Sequence, residues 1–198
     1  MEKKHGPWTI RRTREAYRGG LITVIEDEVT KPDGSRGTYA TVRLKDGVGV
    51  LAVDDEGYAY FAKEFRYAVG RESVEIVGGA IEGGESVEEA ARRELREELG
   101  IEAEEFVELG SIQPVTSLVN SSSTLFLARR LRFEDKDEDA GEVIKMVKMT
   151  LDDAVAQALS GELFHSTTCL LILRAHHHLT KQPARGDEQA GSTTAGAG

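Results

Sequence analysis

The chain has 198 residues, 39% hydrophobic and 30% charged, which is the balance of one ordinary globular domain with a sizeable core. A formal net charge of −10 argues against nucleic acid as a partner, since phosphate backbones are gripped by Lys and Arg, but leaves room for a small phosphorylated ligand. No run of about 18 apolar residues is present and MEKKHGPW lacks the apolar centre of a secretory signal, so no membrane association is expected.

In chain order, Leu21 to Thr30 and Gly37 to Leu44 are rich in β-branched residues around the turn Lys31-Pro32-Asp33-Gly34, which predicts a hairpin. Gly47 to Val53 and Tyr58 to Phe65 predict two strands separated by Asp54-Asp55-Glu56-Gly57. A brief strand at Val74 to Val77 leads into a glycine-rich stretch. Ser86 with Glu89 forms a capping box; Val87, Ala90, Ala91, Leu95 and Leu99 keep helical spacing, and Gly100 is the natural stop. Further strands are expected at Gly110 to Pro114 and Thr124 to Phe133, around the polar loop Leu118 to Ser123. An acidic loop, Glu134 to Glu142, precedes a last strand, Val143 to Met149. Thr150 and Asp153 then cap a helix ending at Gly161, and Ser166 to Leu179 is a third helix. Beyond Thr180 the residues are small and polar and cannot offset ordering entropy, so 180–198 reads as a disordered tail. Strands interleaved with three helices give a mixed α/β or α+β domain.

The chemistry concentrates in GAIEGGESVEEAARRELREELGI, Gly79 to Ile101. Glu94, Glu97 and Glu98 fall on one side of a helical turn, where like charges repel unless something cationic lies against them. Hard divalent ions take oxygen ligands and are shared between carboxylates and substrate phosphates, so the cluster points to metal-assisted chemistry on a phosphate compound.

The spacing is Gly79, five residues, Glu85, seven residues, Arg93-Glu94-Leu95, one residue, Glu97-Glu98, one residue, Gly100-Ile101. It resembles the Nudix hydrolase signature in full. The flanks from about residue 20 to 178 resemble the ADP-ribose pyrophosphatase branch of that family. The resemblance implies the Nudix fold, a mixed β-sheet sandwiched between α-helices. It implies a catalytic domain over 37–179, with the N-terminal strands of 1–36 helping to form a homodimer. It implies hydrolysis of the pyrophosphate bond of a nucleoside diphosphate derivative, ADP-ribose to AMP and ribose 5-phosphate being the leading reaction. Another nucleotide sugar such as GDP-mannose is the second reading, and a non-catalytic nucleotide-binding module the third. Two or three Mg²⁺ or Mn²⁺ ions are the implied cofactors.

By motif position, Glu94 and Glu98 are the metal ligands, with Glu97 a further ligand or a water-mediated contact and the Gly78 carbonyl the main-chain ligand. Glu85 and Arg93 form a loop-to-helix charge pair that orients the acids; Gly79 and Gly100 are structural. The general base is expected in the acidic loop at Glu142, with Glu138 and Asp139 as substitutes. Arg66 in KEFRY matches an arginine used near the diphosphate, suited by its forked, permanent charge to phosphate oxygens. Glu75 in VEIVGG matches a position that contacts substrate or supports the site.

The chain also departs from the branch. Thr116 stands where a proline is usual, Ser121-Ser122-Ser123 replace the usual loop acid, and Glu64 and Phe65 replace the glutamine and tyrosine before the arginine. Other residues read as structural. Cys169 sits in an apolar helix, and as the sole cysteine it makes no internal disulfide, so a reducing cytoplasm is the expected setting. His176-His177-His178 point in different directions on a helix, and His165 is a helix-start residue. The acidic loop is not an EF-hand, with Ala140 at the turn-glycine position and Met146 at the closing glutamate.

Overall fold

The computed structural model describes residues 2–134 and 144–181. β1 (Lys3–His5), β2 (Trp8–Arg18), β3 (Thr23–Thr30) and β4 (Arg36–Arg43) form an antiparallel meander. β5 (Gly47–Val53), β6 (Tyr58–Arg66), β7 (Arg71–Glu75) and β8 (Val77–Ala80) follow, then α1 (Val87–Leu99). β9 (Ile101–Ile112), β10 (Val119–Asn120), β11 (Ser123–Phe133), β12 (Lys145–Thr150), α2 (Leu151–Ser160) and α3 (Ser166–Lys181) complete the described residues. β10 adds parallel to β4, closing a five-stranded sheet in the order β1-β2-β3-β4-β10. The central sheet runs β12-β6-β5-β11-β9, with β7 on β6 and β8 on β5. It is mixed, because β11 lies parallel to β5 and antiparallel to β9.

Alternation along the strands builds a core on each face of this sheet. Val48, Val50 and Ala52 of β5, Tyr60 and Ala62 of β6, and Phe126 and Ala128 of β11 pack with Ala90, Ala91, Leu95 and Leu99 of α1. The intervening Leu51, Val53, Ala59, Phe61, Leu125 and Leu127 pack with Leu151 and Ala154 of α2 and Leu171, Ile172 and Ala175 of α3. The result is the expected sheet between helices. None of the described helices is long and apolar enough to cross a membrane.

α1 has the expected ends. Ser86 accepts from the Glu89 N–H, the Glu89 side chain accepts from the Ser86 N–H, and Gly100 closes the helix at φ 63°. The hairpin around Lys31 to Gly34 forms as β3 and β4 in continuous register. The strand expected at Gly110 to Pro114 differs: β9 begins at Ile101, directly after the helix, and ends at Ile112. Its acids Glu102, Glu104, Glu105 and Glu108 mask a strand whose support comes from β11, where Arg132 pairs with Glu104 and Arg130 lies 4.0 Å from Glu105.

Candidate active site

The site lies where β8 passes under α1. Gly79 on β8 comes so close to the helix that a Cβ there would stand 1.9 Å from Glu94 Oε1. Only a residue without a side chain leaves the Glu94 carboxylate its place. One residue back, the Gly78 N–H points to Glu98 Oε1 at 3.4 Å. A Cβ on Gly78 would meet the Val48 carbonyl at 2.9 Å, which explains the paired glycines.

Arg93 is the hub of the motif. Its Nε and Nη2 donate to Glu85 at 3.1 and 2.9 Å, the forked geometry only arginine offers. Nη2 also donates to the Ala80 carbonyl at 3.1 Å, tying the loop after β8 to the helix. Nη1 donates to Glu94 at 2.8 Å and to Glu97 at 3.1 Å. Glu85 further accepts the Glu82 N–H at 2.6 Å, and its carboxyl is held below the ordinary range by Arg93 and that N–H. The expected loop-to-helix pair of Glu85 and Arg93 is therefore present, and it reaches the acids it was expected to orient.

The acids facing β8 behave differently. Burial pushes the Glu98 carboxyl up to about 8; the Gly78 N–H works against this, while Glu94 and Glu64 add to it. Glu94 is also raised, burial outweighing its bond to Arg93. Burial disfavours the ionised form of both carboxyls, and a cation set against them would offset that cost. Its donors are all hard oxygens, and in that chemistry the residues fit a divalent cation of the Mg²⁺ or Mn²⁺ type. Among the described residues no three acidic, His or Cys side chains already converge as a ligand set, because Glu94 and Glu97 are turned onto Arg93.

Arg66 and Glu75 form a second group on β6 and β7. Arg66 Nη2 donates to Glu75 Oε2 at 2.6 Å, and its Nη1 pairs with Glu64. Glu75 is 5% exposed and stays below its usual pKa: burial raises it, but Arg66, Ser73 and His165 together outweigh burial. The two groups adjoin, since Glu98 feels both Glu64 and Arg66. Glu64 sits two residues before Arg66 on β6, so the period of a strand is the signal that puts both on one face. His165 and Thr168, which reach Glu75 and Ile76 from α3, carry no such signal. Glu142, Glu138 and Asp139 lie outside the described residues.

The remaining candidates have structural places. The Cys169 thiol donates to the Leu163 carbonyl at 3.2 Å and is pushed up by burial, which leaves it unreactive. His176 lies 3.7 Å from Asp152, away from the motif.

A family model described as NUDIX domain matches residues 43–168. The chain belongs to the Nudix hydrolase family. Within it, the sequence is similar to the ADP-ribose pyrophosphatase of Bacillus subtilis (strain 168), 32% identical over 160 residues that cover 80% of this chain and 86% of that protein. It is similar also to the methanol dehydrogenase activator of Bacillus methanolicus, 27% identical over 165 residues, 81% and 88% of the two chains. The fold matches the crystal structure of an ADP compounds hydrolase with a TM-score of 0.76 at 24% identity, covering 90% of this chain and 97% of that one.

Proposed function

We propose that this enzyme hydrolyses the pyrophosphate bond of a nucleoside diphosphate derivative, with ADP-ribose, giving AMP and ribose 5-phosphate, as the first substrate. The observation that carries this reading is the corner of Glu94 and Glu98 against Gly78 and Gly79, where burial raises both carboxyls and neighbouring acids add to it, Glu97 and Glu85 at Glu94, Glu94 and Glu64 at Glu98. Glu94 and Glu98 would hold a divalent ion, magnesium or manganese, with Glu97 and the Gly78 carbonyl completing the set. When bound, such an ion lowers the pKa of coordinated water and offsets charge on the attacking and leaving oxygens.

The chain's own residues supply the rest. Arg93 keeps Glu94 and Glu97 on the β8 side of the helix through its two bonds from Nη1. Arg66 offers its remaining N–H groups to diphosphate oxygens while Glu64 and Glu75 hold the fork. A water oxygen attacks one phosphorus, the bridging P–O bond breaks, and the departing phosphate takes the bond's electron pair. Glu142 is the residue proposed to accept the water proton. Among the described residues of the N-terminal sheet, only Ile25 and Val29 are buried, which supports a homodimer formed through that sheet.

Another nucleotide sugar is the second reading, favoured by one observation. The serines that replace the branch's loop acid are turned into the fold: Ser121 Oγ donates to the Lys45 carbonyl at 2.8 Å and the Ser122 N–H to Asp46 at 2.8 Å. A panel of nucleoside diphosphate sugars with Mg²⁺ and mass detection of products separates the two. Turnover is expected to fall by several orders of magnitude in Glu98→Gln, and full activity in that variant would remove the metal-helix assignment.

A further inference from the structure

His165 stands immediately before α3 and accepts the first helical bond, its carbonyl taking the Cys169 N–H at 3.0 Å. Its ring is turned toward the strands. Nδ1 lies 2.9 Å from Thr168 Oγ1 and 3.3 Å from Glu75 Oε2. Thr168 is fully buried, and its Oγ1 already accepts the Ile76 N–H at 3.0 Å. The start of α3 is thus bolted to the junction of β7 and β8, one residue from Glu75 and two from Gly78.

These contacts favour a proton on Nδ1 over a bare nitrogen. An ionised carboxylate only accepts, so a bare Nδ1 would set its lone pair against Glu75 Oε2, whereas an N–H there is attracted. Thr168 Oγ1 keeps a second lone pair for the same N–H. The Nδ1–H tautomer therefore fits both neighbours, its proton directed to Thr168 Oγ1 with Glu75 Oε2 alongside. Glu75 Oε2 is also the oxygen that takes Arg66 Nη2 at 2.6 Å. Arg66 thus hydrogen-bonds this oxygen from β6 while the His165 ring lies against it from before α3.

We propose that His165 is a positioning residue which, through the Glu75 oxygen it shares with Arg66, aims the Arg66 guanidinium at the substrate diphosphate. This rests on reading Arg66 as a diphosphate ligand. The role is distinct from a packing one because it depends on a single N–H. Asparagine places its amide nitrogen where Nδ1 stands; glutamine carries it further out, toward the position of Nε2.

Two measurements on the full-length protein test this. Long-range ¹H–¹⁵N correlation of the histidine rings, with His165 assigned by its loss in His165→Asn, is expected to show the Nδ1–H tautomer at neutral pH. An Nε2–H tautomer overturns the proposal, whether or not ADP-ribose is turned over. In kinetics, His165→Ala and His165→Gln are expected to raise KM about tenfold with kcat within about twofold, while His165→Asn stays near wild type. In an Arg66→Ala background His165→Ala should add nothing, as coupled residues behave in a double-mutant cycle. An unchanged KM in His165→Gln, or an undiminished effect without Arg66, overturns it. Should the wild type hydrolyse none of the nucleoside diphosphates, the activity reading fails by itself and the tautomer still decides this one.

Discussion

Gly79 shows how much a missing side chain accomplishes. Its backbone is not in the left-handed region, so alanine is conformationally acceptable there, and the three atoms nearest to a Cβ all belong to the end of the Glu94 side chain. That end is flexible and will swing aside. Gly79→Ala is therefore expected to leave the melting temperature unchanged or slightly higher, since alanine reduces unfolded-chain entropy by about 0.4–1 kcal/mol. Turnover should nonetheless drop by at least about tenfold, as expected when a group that orients the reaction is displaced. Paired thermal melts and rate measurements check this; a variant that loses stability and activity together would show that Gly79 serves the fold. At this scale most of the motif was legible. The family resemblance carried by Gly79, Glu85, Arg93, Glu94 and Glu98 already implied the pairing of Glu85 with Arg93. It did not reveal that Arg93 also holds Glu94 and Glu97, because hydrogen-bond partners are chosen by rotamers within a packed site.

Among the elements, α1 was readable to the residue because its ends are chemical: Ser86 and Glu89 satisfy the first N–H groups and Gly100 takes the left-handed turn. β9 was not, because its support comes from β11, later in the chain, through pairs such as Leu127 with Val107, 20 positions apart. Asp54 illustrates the same dependence on distant strands. It opens the β5–β6 connection, accepting the Tyr58 N–H and the Tyr60 hydroxyl at 2.7 Å each, and Lys148 of β12 lies 3.2 Å away. Burial raises its carboxyl, but these three donors outweigh burial and hold it below its ordinary 3.8. A group depressed in the folded state contributes stability that is fully present above its unfolded pKa and is lost as pH falls through the lower folded value. The acid limb of wild-type stability should therefore be steeper than that of Asp54→Asn below about pH 4. Urea unfolding at a series of pH values measures the two slopes, and parallel limbs would exclude Asp54 as a source of acid sensitivity.

For the whole molecule, the central sheet is covered on both faces, whereas the five-stranded sheet is not. Ile25 and Val29 of β3 are buried, but Tyr17, Leu21 and Tyr39 of the N-terminal region are exposed, and the proposed homodimer would cover them. Light scattering is expected to give a mass of roughly twice 21.6 kDa, the mass of one chain. A single-chain mass at every concentration tested would remove the dimer. The amino-acid sequence by itself determined the two-faced strands, the capped helix and the acids of the motif, since periodicity, capping and spacing are local properties that each stretch carries alone. Only the tertiary structure decided that Glu98 is half-buried beside Gly78, that β9 pairs with β11, and that His165 meets Glu75 across 90 positions of the chain. The physical reason is that burial and pairing depend on what the rest of the chain brings alongside a residue.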